Sequence, residues 1–360
     1  MSHEIESMFS VGELPWHGLG HVLEAAPSCA EALVLAGLNW GVELRPLATT
    51  VADAGVSIAV ESHRAVMRMD TGAVLGVVGE DFRPFANADA FAFFEPLVGE
   101  GLITLETAGS LRAGRRVWIM AKVVPAGSAE IVAGDPVDPY LLMCHGHDGS
   151  LAMRVGFNPV RVVCSNTLRM ALDDGEGLFT LRHTSGLSSG LVSIREAIAE
   201  QVRIYQGSVE AWQFLASRRC EAGDFETFLL SVFRGEEATP RTGARLLEAV
   251  RPLMMEGKGN DLPGVRGTWW AAYNAITEWL THHRGSAAGT VAERAERRFD
   301  ALHFGDARKL GARALTLALE AAHRSGSMVA PPMLALPPGI DDEPEGLDIG
   351  AAIDAMVIET

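Results

Sequence analysis

Residues 140–184 read YLLMCHGHDGSLAMRVGFNPVRVVCSNTLRMALDDGEGLFTLRHT, the densest polar chemistry in the chain. Two short apolar runs, Pro139–Cys144 and Leu151–Val155, flank His147-Asp148-Gly149. An Asp-Gly pair between such runs is a strong hairpin signal. Asn158-Pro159 then turns the chain, and the spacing predicts a helix from Val160 or Arg161 to about Asp173. A strand over Leu178–Arg182 follows. Arg154, Arg161 and Arg169 are threaded through this stretch, with no acid between Leu151 and Met170.

Upstream, the pattern continues as strands and helices in α+β order. Ser28, with Glu31 three residues on, predicts a capped helix over Cys29–Ala36. Asn39–Arg45, Val56–Val60, Arg64–Met69 and Ala73–Val78 alternate as strands, with Glu61-Ser62-His63 expected to break the second from the third. Asn87 is expected to cap a helix over Ala88–Val98. Ile103–Ala108 and Arg116–Val123 read as a strand pair turned by Arg112-Ala113-Gly114.

Downstream the character is helical: Leu191–Leu215, Asp224–Phe233, Pro240–Leu253, Thr268–His283, Val291–Ala301 and Asp306–Ala322, with a glycine-rich loop at Gly257–Gly267. The expected organisation is a mostly antiparallel α+β core with an N-terminal clasp over 1–188, a helical region over 189–324, and a flexible Pro-rich acidic tail over 325–360. The aromatics of Trp269-Trp270-Tyr273 lie at helical spacing and read as core.

The chain has 360 residues, 48% of them hydrophobic, and a net charge of −16. Seven acids from Asp341 to Glu359 sit in the last thirty residues; removing them from −16 leaves −9 on residues 1–330. A nucleic-acid surface on such a body has to be a local stripe. Four separated cysteines without a CxxC pair are expected as reduced thiols in a cytoplasm. No apolar run reaches membrane-spanning length, so no membrane partner is expected.

Three kinds of chemistry compete in the central stretch. His145 and His147, two apart on a strand, share a face, and His183 could add a third nitrogen beside Asp148 or Cys144. The Asp-Gly turn explains that pattern as well, and neither HExxH nor paired CxxC is present, so no metal and no cofactor are assigned. Cys164 with His147 or His183 and Asn166 has the cast of a thiol enzyme, but without a family-specific signature.

The reading preferred from the residues is phosphate binding. The predicted helix start at Asn158–Arg161 would favour an anion, and Arg154, Arg161, Arg169 and Arg182 would contact phosphates with Asn166 and His147 as polar neighbours. The resulting expectation is a non-catalytic protein bound to single-stranded, damaged or replicating DNA, able to form a homo-oligomer. The alternatives are a metal- or thiol-dependent hydrolase centred on His147, Cys164 and His183, or a protein that binds a host factor through its acidic tail.

Taken together, Trp16-His17-Gly18-Leu19-Gly20, His147-Asp148-Gly149-Ser150, Pro159 to Leu168, Arg182-His183-Thr184 and Gly267-Thr268-Trp269-Trp270 through Asn274-Ala275 resemble the phage/plasmid-like protein family, a domain of unknown function. The resemblance covers about Met1 to Arg324 and implies a mobile-element origin. The expected order helix, four antiparallel strands, helix is also similar in topology to phage single-strand annealing recombinases. That similarity implies DNA binding along a basic groove beside the sheet.

Overall fold

The computed structural model describes residues 5–12, 20–51, 56–161, 163, 166–167, 178–181, 190–233, 240–284, 288–290, 294, 297–298, 301–302 and 305–325. Its centre is a seven-stranded sheet of β1 (Ile5–Val11), β2 (His21–Leu23), β6 (Ile103–Leu111), β7 (Arg116–Val123), β10 (Tyr140–Gly146), β11 (Met153–Phe157) and β14 (Leu178–Leu181). The spatial order is β14-β11-β10-β7-β6-β1-β2, antiparallel except for the parallel β1–β2 pair. A second sheet joins β8 (Ala129–Glu130), β9 (Pro136–Asp138), β12 (Val160–Arg161) and β13 (Asn166–Thr167). A third joins β3 (Val42–Val51), β4 (Val56–Arg68) and β5 (Val74–Gly79). With the packed helices this is the α+β class expected from the sequence.

Two helices cover one face of the large sheet. Helix α1 (Cys29–Leu35) starts with the expected reciprocal cap: Ser28 Oγ accepts from Glu31 N, while the Glu31 carboxylate accepts from Ser28 N. Helix α2 (Asn87–Gly99) buries Phe91, Phe93, Phe94 and Leu97. Its N-cap is Ala86 rather than Asn87. The Asn87 side chain instead turns inward, its Nδ2 donating to Leu38 O at 3.1 Å. Along β7 and β10 the odd positions Val117, Ile119, Ala121, Val123, Leu141 and Met143 join this main core. The even positions Trp118, Leu142 and Cys144 pack with Met8, Leu111 and Leu151 in a separate cluster on the other face.

β4 is one thirteen-residue strand; Glu61-Ser62-His63 does not break it but is taken up as a register irregularity opposite Pro46/Leu47. In place of a helix from Val160, the chain forms β12 and β13, pairing Val160 with Asp138 and Thr167. The β-branched run Val160, Val162, Val163 favours extended backbone, and β9 supplies the partner strand. The α2-β6-β7-β10-β11 order is therefore present, but strands stand where the closing helix was expected to begin.

The remaining described helices are α3 (Gly190–Ala216), α4 (Ala222–Val232), α5 (Pro240–Glu256), α6 (Trp269–Glu278) and α7 (Asp306–Ser325). Helix α6 is buried along its whole length and continues into a π turn over Trp279–His283. Thr268 caps it by accepting from Ala271 N. Trp269, Trp270 and Tyr273 are core residues, as their spacing indicated. One connected apolar cluster runs from Phe9 through the sheet to Trp212, Phe228, Trp270 and Ala318, so the helices share the core of the sheet. The tail and most of 291–300 lie outside the described residues.

Candidate functional site

The structure takes His145 and His147 into the interior. Both are essentially unexposed, and their rings meet edge-on at 4.9 Å. His145 also meets Phe85 edge-on, at 5.2 Å. His147 Nε2 lies 2.9 Å from Asn87 Oδ1, and since Asn87 Nδ2 donates to Leu38 O and Trp40 O, its Oδ1 is the acceptor and Nε2 the donor. The histidine thus ties the β10–β11 loop to the start of α2 and to the segment entering β3. Beside it, the Arg68 guanidinium lies 4.2 Å from the Trp40 ring centre and grips Asp70 through two hydrogen bonds. The expected Asp148-Gly149 turn is present: Asp148 Oδ1 accepts from Ser150 N and Oγ, and Gly149 has φ +77°. His147 is therefore internal scaffolding rather than a surface contact.

Arg161 is more deeply placed still. Its side chain is 0% exposed, and both guanidinium edges are engaged. Nε and Nη2 donate to the two oxygens of Asp135, Nη1 donates to Lys258 O and Asn260 Oδ1, and Nη2 also donates to Gly259 O. Trp270 Nε1 donates to the same Asp135. The glycine-rich loop seen in the sequence is thus a carbonyl cage for an arginine, with Gly259 in the left-handed region at φ +74°. Because the expected helix start is absent at Val160–Arg161, so is its anion-binding end there, and Arg161 cannot meet a phosphate without breaking this cage.

Of the other residues expected to contact DNA, Arg154 lies half-buried on β11, on the face away from the main core. Asn166 sits in β13, opposite Arg161. Arg169 and Arg182 lie outside the described residues, as do Cys164 and His183 of the hydrolase reading. Cys144 is buried in the apolar cluster of the second face. Burial pushes the Cys29 thiol up to about 11 and the Cys220 thiol up to about 12, further from the thiolate a nucleophile needs. Among the described residues, no group of three or more His, Cys, Asp or Glu side chains is placed to hold a metal ion.

The second face of the large sheet gathers polar chemistry that the central stretch alone does not show. Strand β7 presents Arg116, Trp118, Met120 and Lys122 there by alternation. Opposite them on β10 stand Gly146, Cys144, Leu142 and Tyr140, and Arg154 pairs with Cys144 from β11. The centre is apolar and buried, with cations and polar groups at its two ends.

At one end Arg116 Nη2 donates to Ser150 Oγ at 3.3 Å, with Arg154 roughly 12 Å away between Cα atoms by strand spacing. At the other end Lys122 Nζ donates to Asp138 at 2.6 Å, and Asp138 also accepts from Ser128 Oγ. Glu106, at a register irregularity of β6, adjoins them. Burial raises its carboxyl above the usual range, opposed by Lys122 and reinforced by Asp138. Burial likewise raises the Tyr140 phenol, helped by the charges of Glu106 and Asp138. The alternation of Arg116–Val123 was legible from sequence; that Arg154 shares its face was not, because that depends on strand order.

Among the described residues no helix is long and apolar enough to cross a membrane. Comparison with curated proteins and with solved structures gave no match. A family model described as a domain of unknown function (DUF932) matches residues 74–303, from β5 through α6, including every strand of the large sheet but β1 and β2. With more than half its length matched, the chain belongs to the DUF932 family.

Proposed function

We propose that this is a non-catalytic, cytoplasmic DNA-associated protein of a mobile genetic element, which binds single strands during phage or plasmid recombination or replication. The observation that carries the reading is the placement of Arg116 and Arg154, both half-buried, on one sheet face around the buried Trp118 cluster, in a chain of net charge −16. Cations gathered along one sheet face are a usual means of holding a sugar-phosphate strand. The acid-free run Leu151–Met170 supplies the Arg154 end of that face. The phosphate contacts assigned to this face are Arg116 and Arg154, with Tyr140 as the aromatic at its far end.

Binding of a short fluorescent single-stranded oligonucleotide at several salt concentrations tests this. Affinity should fall steeply as salt rises, and Arg116→Ala with Arg154→Ala should make the slope of log affinity against log salt shallower by about 0.7 per arginine removed. Circular dichroism of the variant guards against loss of fold. Absence of binding at low salt, or an unchanged slope in the folded double variant, overturns the reading.

A further inference from the structure

The third sheet carries a feature that the nucleic-acid reading does not use. Strand β5 pairs only with His63–Met67 of β4, so the β3–β4 hairpin runs on beyond it as two strands alone. Its register pairs are Leu47 with Val60, Ala48 with Ala59, Thr49 with Ile58 and Thr50 with Ser57. Directly opposed residues share a face, so Leu47, Thr49, Val56, Ile58 and Val60 form one face and Ala48, Thr50, Ser57 and Ala59 the other. The first face is branched and, apart from the Thr49 hydroxyl, apolar; Val56 at 52% and Ile58 at 51% exposure stand in solvent, with Leu47 and Val60 half-buried.

Neither Leu47–Val51 nor Val56–Val60 contains a charged residue. Glu43, Arg45, Pro46 and the register irregularity, the devices that protect an edge strand, all lie in the inner half of β3. The outer half has none. A two-stranded hairpin is marginal in water by itself and gains from a cover on its apolar face.

We propose that this arm is a self-association element, its Val56/Ile58 face packing on the same face of a second copy about a two-fold axis. Its chemistry selects that partner. Without lysine or arginine it offers nothing to a phosphate backbone or an anionic headgroup. Two bodies of charge −16 repel, and a neutral projecting patch is where they can meet. A face of branched side chains packs on its own copy, as the inner faces of a sheet sandwich pack on each other, and an isologous contact requires only that match. Five side chains per copy cover less than the roughly 800 Å² per partner of a standard interface, so the dimer is concentration-dependent rather than obligate. The inference is independent of the DNA reading, since the arm carries no cation.

Light scattering after size exclusion, with the full chain at concentrations on the order of 1 to 100 µM, tests it over the range where interfaces of this size dissociate. The wild-type protein should shift from monomer to dimer. Val56→Lys with Ile58→Lys should weaken association at least about tenfold, leaving circular dichroism and the melting midpoint unchanged, because both sites are exposed. Ala59→Lys, on the other face, should leave the dimer intact and so separates face packing from loss of the hairpin. A wild-type monomer throughout, or a dimer that survives Val56→Lys/Ile58→Lys, overturns the proposal. Monomeric protein that floats with neutral phosphatidylcholine vesicles through Val56 and Ile58 also overturns it, by making lipid the occupant.

Discussion

Arg161 and Asp135 form a two-bond ion pair inside the protein, Nε to Oδ1 at 2.6 Å and Nη2 to Oδ2 at 2.8 Å, with both side chains 0% exposed. Around it converge β12, the segment entering β9, the loop after α5 and the α6 residue Trp270. The pair therefore joins the sheet part of the chain to its helical part.

Removing either partner should be costly. Asp135→Ala strands a guanidinium and the Trp270 indole N–H, and Arg161→Ala strands a carboxylate, two backbone carbonyls and the Asn260 amide oxygen. Each should lower unfolding free energy by about 3–5 kcal/mol in urea titrations, the range for breaking a buried pair. Replacing both with leucine should recover part of the deficit. Arg161→Lys should not, because one ammonium cannot reproduce the planar fork.

Asn87 is a second internal fastener. Asn87→Ala leaves Leu38 O, Trp40 O and His147 Nε2 without their partner, at a cost of about 1–3 kcal/mol in thermal or urea unfolding. Had Asn87 been a solvent-facing cap, about 0.5–2 kcal/mol would be expected. A destabilisation above that range identifies the internal role.

The buried thiols give an alkaline limit to stability. Cys29 and Cys220 are pushed up to about 11 and about 12 from 9.0, so the folded state keeps protons that the unfolded chain releases. The stability this contributes is complete below pH 9 and declines as pH rises toward 11–12. The urea midpoint should fall between about pH 8 and pH 10, with a smaller fall in the Cys29→Ala/Cys220→Ala variant. Mass-spectrometric mapping of iodoacetamide labelling at about pH 8 should find both unmodified in the native protein and modified in urea.

Glu106 acts with the same sign at lower pH. Its carboxyl is raised, mainly by burial, so its ionisation opposes folding as pH climbs from 4.5 through the raised value. Relative to wild type, Glu106→Gln should gain stability across that window by about half a kcal/mol or less, because the partly exposed group is screened by solvent. At about pH 4 the two proteins should unfold at nearly the same urea concentration. A variant less stable than wild type at neutral pH would mean that the Lys122 attraction outweighs burial.

How much of this was legible depended on the range of the interaction that decides each feature. The Ser28–Glu31 cap is settled within three residues, and the bounds of Arg116–Val123 within one strand; both agree with the sequence pattern. The Asp148-Gly149 turn is likewise local. The helix expected from Val160 does not start there because its β-branched run favours extended backbone, and because the partner strand β9 lies well upstream in sequence. Asn87 looks like a cap by type and position, yet carbonyls 47 and 49 residues away claim its side chain.

The sequence by itself therefore determined the α+β class, most element positions, the core role of the Trp269–Tyr273 helix and the concentration of acid beyond Pro331. Periodicity, caps and turns act over a few residues and are written in neighbouring letters. Only the tertiary structure decided that Arg161 is an internal strut, that His147 is scaffolding, and that Arg116 and Arg154 share a face. Those outcomes depend on which strands lie side by side and on partners such as Asp135 and Asn260, 26 and 99 residues from Arg161. A charge run looks the same in sequence whether water or a buried carboxylate receives it, and burial is a property of the assembled chain.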